Sequence, residues 1–340
     1  MPPIRTLALA LALSASPTIA AQESQPTAAE LAERSLDQLR TAMQDHYSHY
    51  RRLGLDWAAE EAKHRDAILA AETPIEWAKA AGAFLSTAQD GHLWLSLNGQ
   101  LAPTYRRPWH TNFSIDAVRA TFPELEELAP QVHSARTDDG IAYLLIGTWD
   151  QRRGRSTTVA QDAIDEARED DALVLDVRSN GGGSEPFAMA VAAWFVEGTK
   201  VYAQHVTRDP QAEGGFSEPF RRFLPGNRGS RRFAGPVAVL MGPRNASSCE
   251  AFLLMMKQAE HAVLIGEQSM GSSGNPQPFE LANGVVAYLP SWKAMDPDGN
   301  EIEGVGVAPD IEVVTSADDL GKKDIVLKAA LAELRRRLAR

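Results

Sequence analysis

The sequence predicts an α/β protein, more fully an α+β arrangement in which an N-terminal bundle of helices precedes a core of strands and helices. Three observations carry this. Short apolar runs at Ile141–Ile146 (IAYLLI), Ala172–Val177 (ALVLDV), Pro236–Met241 (PVAVLM) and Ala262–Ile265 (AVLI) have the composition of buried strands. Helix-forming stretches alternate with them, at Val159–Glu169, Pro186–Phe195 and Glu250–Glu260. Ahead of them, apolar residues recur at helical spacing between charges. A length of 340 residues with 44% hydrophobic residues is enough for a substantial core. The formal net charge of −11 argues against a nucleic-acid partner, which would need clustered Lys and Arg.

Residues 1–21 read as a secretory signal. Arg5 precedes an apolar segment, Leu7–Leu13, and small residues end it at Ala20-Ala21 before polar Gln22-Glu23. The apolar segment falls short of the roughly 20 residues that span a bilayer, and no later run reaches that length, so the expected protein is exported, periplasmic or extracellular, without a membrane span. Cys249, the single cysteine, leaves no internal disulfide to form.

Segment 22–97 reads as the helical domain. Leu31, Leu36, Leu39 and Met43 form one helix face, Asp56 caps a second helix, and Thr73-Pro74-Ile75-Glu76 starts a third. The domain ends in Asp90-Gly91-His92 and the alternating strand Leu93–Leu97; a histidine at that hand-over can be held rigidly while facing a cleft. Segment 98–139, with four prolines, reads as irregular apart from a short helix near Glu124–Leu128. Residues 140–340 form the expected core domain. Within it Arg178–Ser184 contains three successive glycines after a buried strand, which let the backbone approach a ligand and present N–H groups. No Gly-Lys-Ser/Thr ending follows, so a phosphate loop does not fit. Thr207–Gly235 is polar and reads as a surface excursion or lid, Asn283-Gly284 as a hairpin turn, and Lys323–Arg340 as a closing helix.

The candidate site centres on Gly242–Glu250, where the run Pro236–Met241 turns into a helix-forming stretch. Backbone N–H groups at a helix start favour an anion, and a Ser247 hydroxyl there could attack a carbonyl and leave the oxyanion near those donors. Taken alone, a serine before a helix is more often an N-cap.

The motifs in series resemble a known family. LVLDVRSNGGG (173–183), NASSCEAF (245–252), GEQSMGSSG (266–274) and EGVGVAPDIEV (303–313) follow the order of the tail-specific, C-terminal-processing serine proteases, and the resemblance runs over about residues 30–335. It implies a crotonase-like core and peptide or protein substrates, with no cofactor or metal. The Ser–Lys branch of that family looks for a lysine in the loop Gly266–Gly274, where this chain has Ser272. Lys257, ten residues from Ser247 along a straight helix, would lie ~15 Å away.

The chain is instead similar to the tricorn-core branch, which uses serine, histidine and glutamate. That likeness implies Ser247 as nucleophile, His92 as base and Glu303 as the carboxylate that orients it, with an oxyanion hole from the Ser248 amide and a glycine of Gly181–Gly183, Gly182 and Gly183 foremost. Two departures stand out. Some tricorn-type enzymes carry a hydroxyl residue directly before the histidine; here it is Gly91, leaving Ser272 or Ser269 as substitutes. Segment 98–139 is also too short for the peptide-binding PDZ domain that most tail-specific proteases insert. Two other readings of the same fold are an apolar-ligand carrier resembling the retinoid-binding repeats of the retina, and a crotonase-type acyl-CoA enzyme.

Overall fold

A parallel strand covered on both faces needs apolar side chains on both, and four runs of this sequence supply them. The structure, a computed structural model, describes residues 25–150, 156–227, 232–320 and 323–340; the segment 1–21 lies outside the described residues. The main sheet has seven strands in the order Ile311–Glu312 (β14), Ala262–Gly266 (β10), Val237–Met241 (β9), Ala172–Asp176 (β6), Ile141–Ile146 (β5), Val132–Arg136 (β4) and Glu126–Ala129 (β3). Its parallel part is β14, β10, β9, β6 and β5. Successive residues of β5, β6 and β9 alternate between two cores. Leu144, Leu173, Leu175 and Val239 enter the layer containing α5 (Ser156–Glu166), α6 (Glu185–Ala192) and α7 (Ser248–Met256). Tyr143, Val174, Ala238 and Leu240 enter the layer of α4 (Ile115–Thr121) and α9 (Ile325–Leu338), which follows the short α8 (Ala317–Leu320). Each fully buried Leu or Val among them contributes about 1.5–3 kcal/mol of transfer free energy. That double burial is why these strands read as continuous apolar runs.

The antiparallel end of the sheet corrects the sequence reading of 98–139. The expected helix at Glu124–Leu128 is instead β3 (Glu126–Ala129), paired with β4 (Val132–Arg136) through a turn at Gln131, whose φ is 65°. The helix in this segment lies earlier, at α4, where the Ser114 hydroxyl accepts from the Ala117 amide. Thr207–Gly235 also differs from expectation. Phe220–Pro225 (β8) pairs with β7 (Thr199–Thr207), and β7 with β13 (Trp292–Met295), in a three-stranded sheet rather than a loose excursion.

The N-terminal helices α1 (Ala28–His46), α2 (Trp57–Leu69) and α3 (Pro74–Leu85) start where the sequence signals them. Thr27 and Thr73 each form a capping box with a glutamate three residues on, and the Asp56 carboxylate accepts from the Ala58 and Ala59 amides. They do not form a core alone. Leu36, Leu39, Trp77 and Phe84 share one apolar cluster with Leu95, Ala287 and Leu289. Those last residues belong to a four-stranded sheet, β11-β12-β1-β2, in which β1 (Trp94–Leu97) pairs with β2 (Gln100–Leu101) and β12 (Val286–Pro290), and β12 pairs with β11 (Pro276–Glu280) through the hairpin at Asn283-Gly284. Strand β1 is therefore fixed to the C-terminal half of the chain, which brings the residue two before it, His92, to the site.

Candidate active site

The backbone at Ser247 is held in a conformation that non-glycine residues avoid, with φ 55° and ψ −128°. Its surroundings over-determine it. The Ser247 amide donates to the Ser272 carbonyl at 2.7 Å, and Asn245 ties the turn on three sides. The Asn245 side chain donates to the carbonyls of Val177 (2.6 Å) and Asn180 (3.0 Å) and accepts from the Gly242 amide (2.7 Å). A Cβ at Gly242 would lie 2.1 Å from the Asn112 side-chain oxygen and would displace a side chain that donates to the Met241 carbonyl. Ser247 is the residue before α7, and its side chain makes no capping bond. The hydroxyl is thus not used as a cap, and the cap reading of the sequence fails at this position.

The glycine loop packs directly against this turn. At Gly182, φ is +106° and a Cβ would sit 2.7 Å from the Ala246 carbonyl oxygen and 3.0 Å from Ser247 Cβ. Its own amide donates to Asn180 Oδ1 at 2.9 Å. Gly183, with φ +135°, presses on the Trp149 backbone, and its carbonyl accepts from the Ser248 hydroxyl at 2.6 Å. Ser248 is the first residue of α7, so its amide has no partner within the helix. Below this loop Arg178 is buried between Asp176 (2.6 Å) and Asp324 (2.7 Å) and donates to the Asn112 carbonyl (3.0 Å), which anchors the end of β6.

His92 follows a left-handed turn at Gln89 and is fixed from both ends. Its amide donates to Asp90 Oδ1 at 2.8 Å, while Asp90 Oδ2 accepts from the Tyr47 hydroxyl at 2.9 Å. Its ring Nδ1 lies 2.8 Å from Ser272 Oγ. Burial pulls the imidazole pKa below its ordinary value, partly offset by the nearby Asp90 charge, so the ring is held in the neutral form a base requires.

Glu303 is buried in the same neighbourhood. Its carboxylate accepts from the Ser273 amide at 2.8 Å and makes no hydrogen bond to the imidazole. Burial, then the Asp90 charge, push its carboxyl well above the usual range. Ser247 and His92 are likewise not hydrogen-bonded to one another here. What the structure brings together is each of the three sequence-predicted residues with the pair Ser272-Ser273: Ser247 by its amide, His92 by its ring, Glu303 by its carboxylate.

Glu250 was not singled out from the sequence, yet it organises the loop that carries that pair. It is fully buried on α7, one turn beyond Ser247, and accepts from the Ser269 hydroxyl (2.6 Å) and the amides of Gly271 (2.6 Å) and Ser272 (3.0 Å). Burial pushes its carboxyl up to about 7 in spite of these bonds. The signal was available: Glu250 is the only charged residue in the nine-residue helix SCEAFLLMM. Arg107 supports the same loop by donating to the carbonyls of Met270 and Gly271. Cys249, by contrast, is buried among apolar side chains that push its thiol pKa up, which leaves it unreactive.

A cavity of about 360 Å³ opens beside Ser247 and Ser248. Leu254, Trp292 and Ile302 give it apolar walls, and Glu185 and Arg222, an ion pair, line it too. The Arg222 guanidinium lies over Trp292 at 4.7 Å and Tyr202 at 5.3 Å, whose hydroxyl donates to Glu185. A second cavity of about 380 Å³ lies among the N-terminal helices, lined by Tyr50, Trp57 and Phe84, away from this chemistry. Among the described residues no group of three His, Cys, Asp or Glu side chains is arranged to hold a metal ion, and no helix is long and apolar enough to cross a membrane.

Comparison with known proteins identifies the family. A family profile described as peptidase family S41 matches residues 140–313. The carboxyl-terminal-processing peptidase 3 of Arabidopsis thaliana chloroplasts is 26% identical over 178 residues, 51% of this chain and 33% of that protein. The carboxy-terminal processing protease CtpB of Bacillus subtilis (strain 168) is 26% identical over 173 residues, 51% of this chain and 34% of that protein. The match thus spans about a third of the length of these relatives. The crystal structure of a peptidase candidate from Parabacteroides merdae ATCC 43184 shares the fold, with a TM-score of 0.76 at 22% identity over 89% of this chain and 96% of that one.

Proposed function

Because the chain belongs to peptidase family S41, we propose that it is a serine peptidase in which Ser247 is the nucleophile, His92 the general base and Glu303 a supporting acid. The observation that carries this reading is the strained, uncapped Ser247 at the start of α7, locked by its amide to the residue that also holds His92. Ser247 Oγ attacks the carbonyl carbon of the scissile peptide bond and passes its proton to His92 Nε2. The negative charge on the carbonyl oxygen is met by the amides of Ser248 and Gly183, at the positive end of α7. The Gly182 amide, which donates to Asn180 Oδ1, serves to shape the loop rather than to meet the oxyanion. The imidazolium then protonates the leaving amine, the C–N bond breaks and an ester to Ser247 remains; water, deprotonated by His92, releases the carboxylate product.

With Glu303 seated on the Ser273 amide, its contribution is to hold the Ser272-Ser273 segment that meets the His92 ring, not a direct bond to the ring. The cavity beside Ser247 receives an apolar substrate side chain against Leu254 and Ile302. The signal-like residues 1–21 direct the peptidase out of the cytoplasm, where unfolded or processed protein is its substrate.

The deciding experiment is hydrolysis of a peptide library and of an unfolded protein, together with labelling by a fluorophosphonate. The wild-type chain is expected to hydrolyse and to be labelled at Ser247, and Ser247→Ala to lose both with an unchanged melting temperature. Hydrolysis that survives Ser247→Ala overturns the assignment.

A further inference from the structure

We propose that Ser272 is the residue that positions His92, holding the ring through Nδ1 in the role that a carboxylate plays in a Ser-His-Asp arrangement. This rests on the reading of Ser247 and His92 as nucleophile and base. The ring Nδ1 lies 2.8 Å from Ser272 Oγ, and no other partner of Nδ1 is present among the described residues. The neighbouring carboxylates are engaged elsewhere: Asp90 with the His92 amide and the Tyr47 hydroxyl, Glu303 with the Ser273 amide, Glu250 with Ser269, Gly271 and Ser272.

Ser272 is itself immobilised. It is buried, its amide donates to Glu250 Oε2 at 3.0 Å, and its carbonyl accepts the Ser247 amide at 2.7 Å. One residue therefore fixes the nucleophile's backbone with its carbonyl and the base's ring with its hydroxyl. Gly91 lies beside this contact: a Cβ there would be in van der Waals contact with Ser272 Oγ, at 3.4 Å.

The chemistry requires a group that accepts. For Nε2 to take the proton of Ser247, the neutral ring must carry its hydrogen on Nδ1 and donate it to Ser272 Oγ. Once Nε2 is protonated, the same bond becomes charge-assisted and stabilises the imidazolium. A hydroxyl does this more weakly than a carboxylate, because it brings no charge. The His92 imidazolium is accordingly expected to be poorly stabilised, in keeping with the lowered pKa of this buried ring.

The test compares Ser272→Ala, Ser272→Thr and Ser272→Asp with the wild type, using peptide hydrolysis from pH 5 to 9 and fluorophosphonate labelling. Ser272→Ala keeps the amide and carbonyl that tie the loop. It is expected to lower kcat about 10–100-fold, the effect of losing one hydrogen bond to a charged group, with KM changed less than about threefold. The midpoint of its acid limb should move to lower pH, because the imidazolium loses its acceptor. Ser272→Thr, which keeps the hydroxyl, should recover most of the rate, and Ser272→Asp should move the acid limb to higher pH.

The proposal is overturned if Ser272→Ala retains wild-type kcat, or if it loses activity while no variant moves the acid limb, which is the behaviour of a purely structural residue. Should Ser272→Ala fail to fold, the Thr and Asp variants carry the same pH test. Failure of the wild-type chain to label at Ser247 strikes at the peptidase reading itself, a result distinct from labelling that is indifferent to residue 272.

Discussion

Replacing Glu250 by Gln should change how the stability of this protein depends on pH. Burial raises the Glu250 carboxyl from 4.5 to about 7 in the folded chain. A raised acid binds its proton more tightly when folded, so its stabilising contribution is complete below pH 4.5 and is lost as pH rises to 7. The difference of about 2.5 units at 1.36 kcal/mol each gives a loss of about 3 kcal/mol across that window. Gln cannot titrate, and its NH2, standing in place of one carboxylate oxygen, faces either the Gly271 or the Ser272 amide while its carbonyl oxygen accepts from the other, so the variant should carry a pH-independent penalty of about 1–3 kcal/mol for an unpaired buried group.

The measurement is urea unfolding at pH 4.5 and pH 8, made in a Ser247→Ala background to prevent self-cleavage. The wild-type minus Glu250→Gln stability difference should fall by about 3 kcal/mol between the two. Equal differences at both pH values would refute the reasoning, because the carboxyl would then titrate alike in the folded and unfolded chain.

His49 should act in the opposite direction. It is buried with neither ring nitrogen hydrogen-bonded, and burial lowers its pKa to about 4. From pH 6.5 down to 4 the unfolded chain takes up a proton that the folded one refuses, so stability falls by about 3 kcal/mol; His49→Leu should abolish that acid loss in chemical unfolding, and an unchanged acid slope would refute it. Gly182→Ala forces a Cβ to within 2.7 Å of the Ala246 carbonyl at a φ of +106°, costing about 1–3 kcal/mol in backbone strain and displacing Ser247. Fluorophosphonate labelling should slow more than tenfold, and a wild-type labelling rate would show that the turn tolerates the methyl group.

The core of the fold was legible because its strands are buried on both faces, a condition that leaves an unbroken apolar run in one dimension. What could not be read was set by partners distant in the chain. Glu124–Leu128 has helix-forming Glu and Leu, but the turn at Gln131 pairs Glu126 and Glu127 with Ser134 and His133, and sheet context overrides the local preference. The segment after Thr207 read as loose because its charges looked solvated. Arg222 instead turns inward to Glu185 and stacks on Trp292, and β8 gains a partner in β7 while exposing Phe220 and Phe223.

The site follows the same division. Ser247, His92 and Glu303 stand in recognisable motifs, so the sequence could nominate them one by one. Their coupling could be read only as far as a substitute hydroxyl from Ser272 or Ser269, of which the structure places Ser272 on the ring, because it passes through a loop with no titratable group between Met270 and Ser273. Across 180 residues the His92 ring reaches a hydroxyl, not an acid, and serine leaves no distinctive mark among the small residues of GSSG. That loop in turn depends on Glu250, which sits one turn from the nucleophile and grips Ser269, Gly271 and Ser272. The proposed nucleophile and base are therefore not held by each other but by a common support. Displacing Gly271–Ser273 would move Ser247, His92 and Glu303 together, whereas changing any one of the three leaves the support in place.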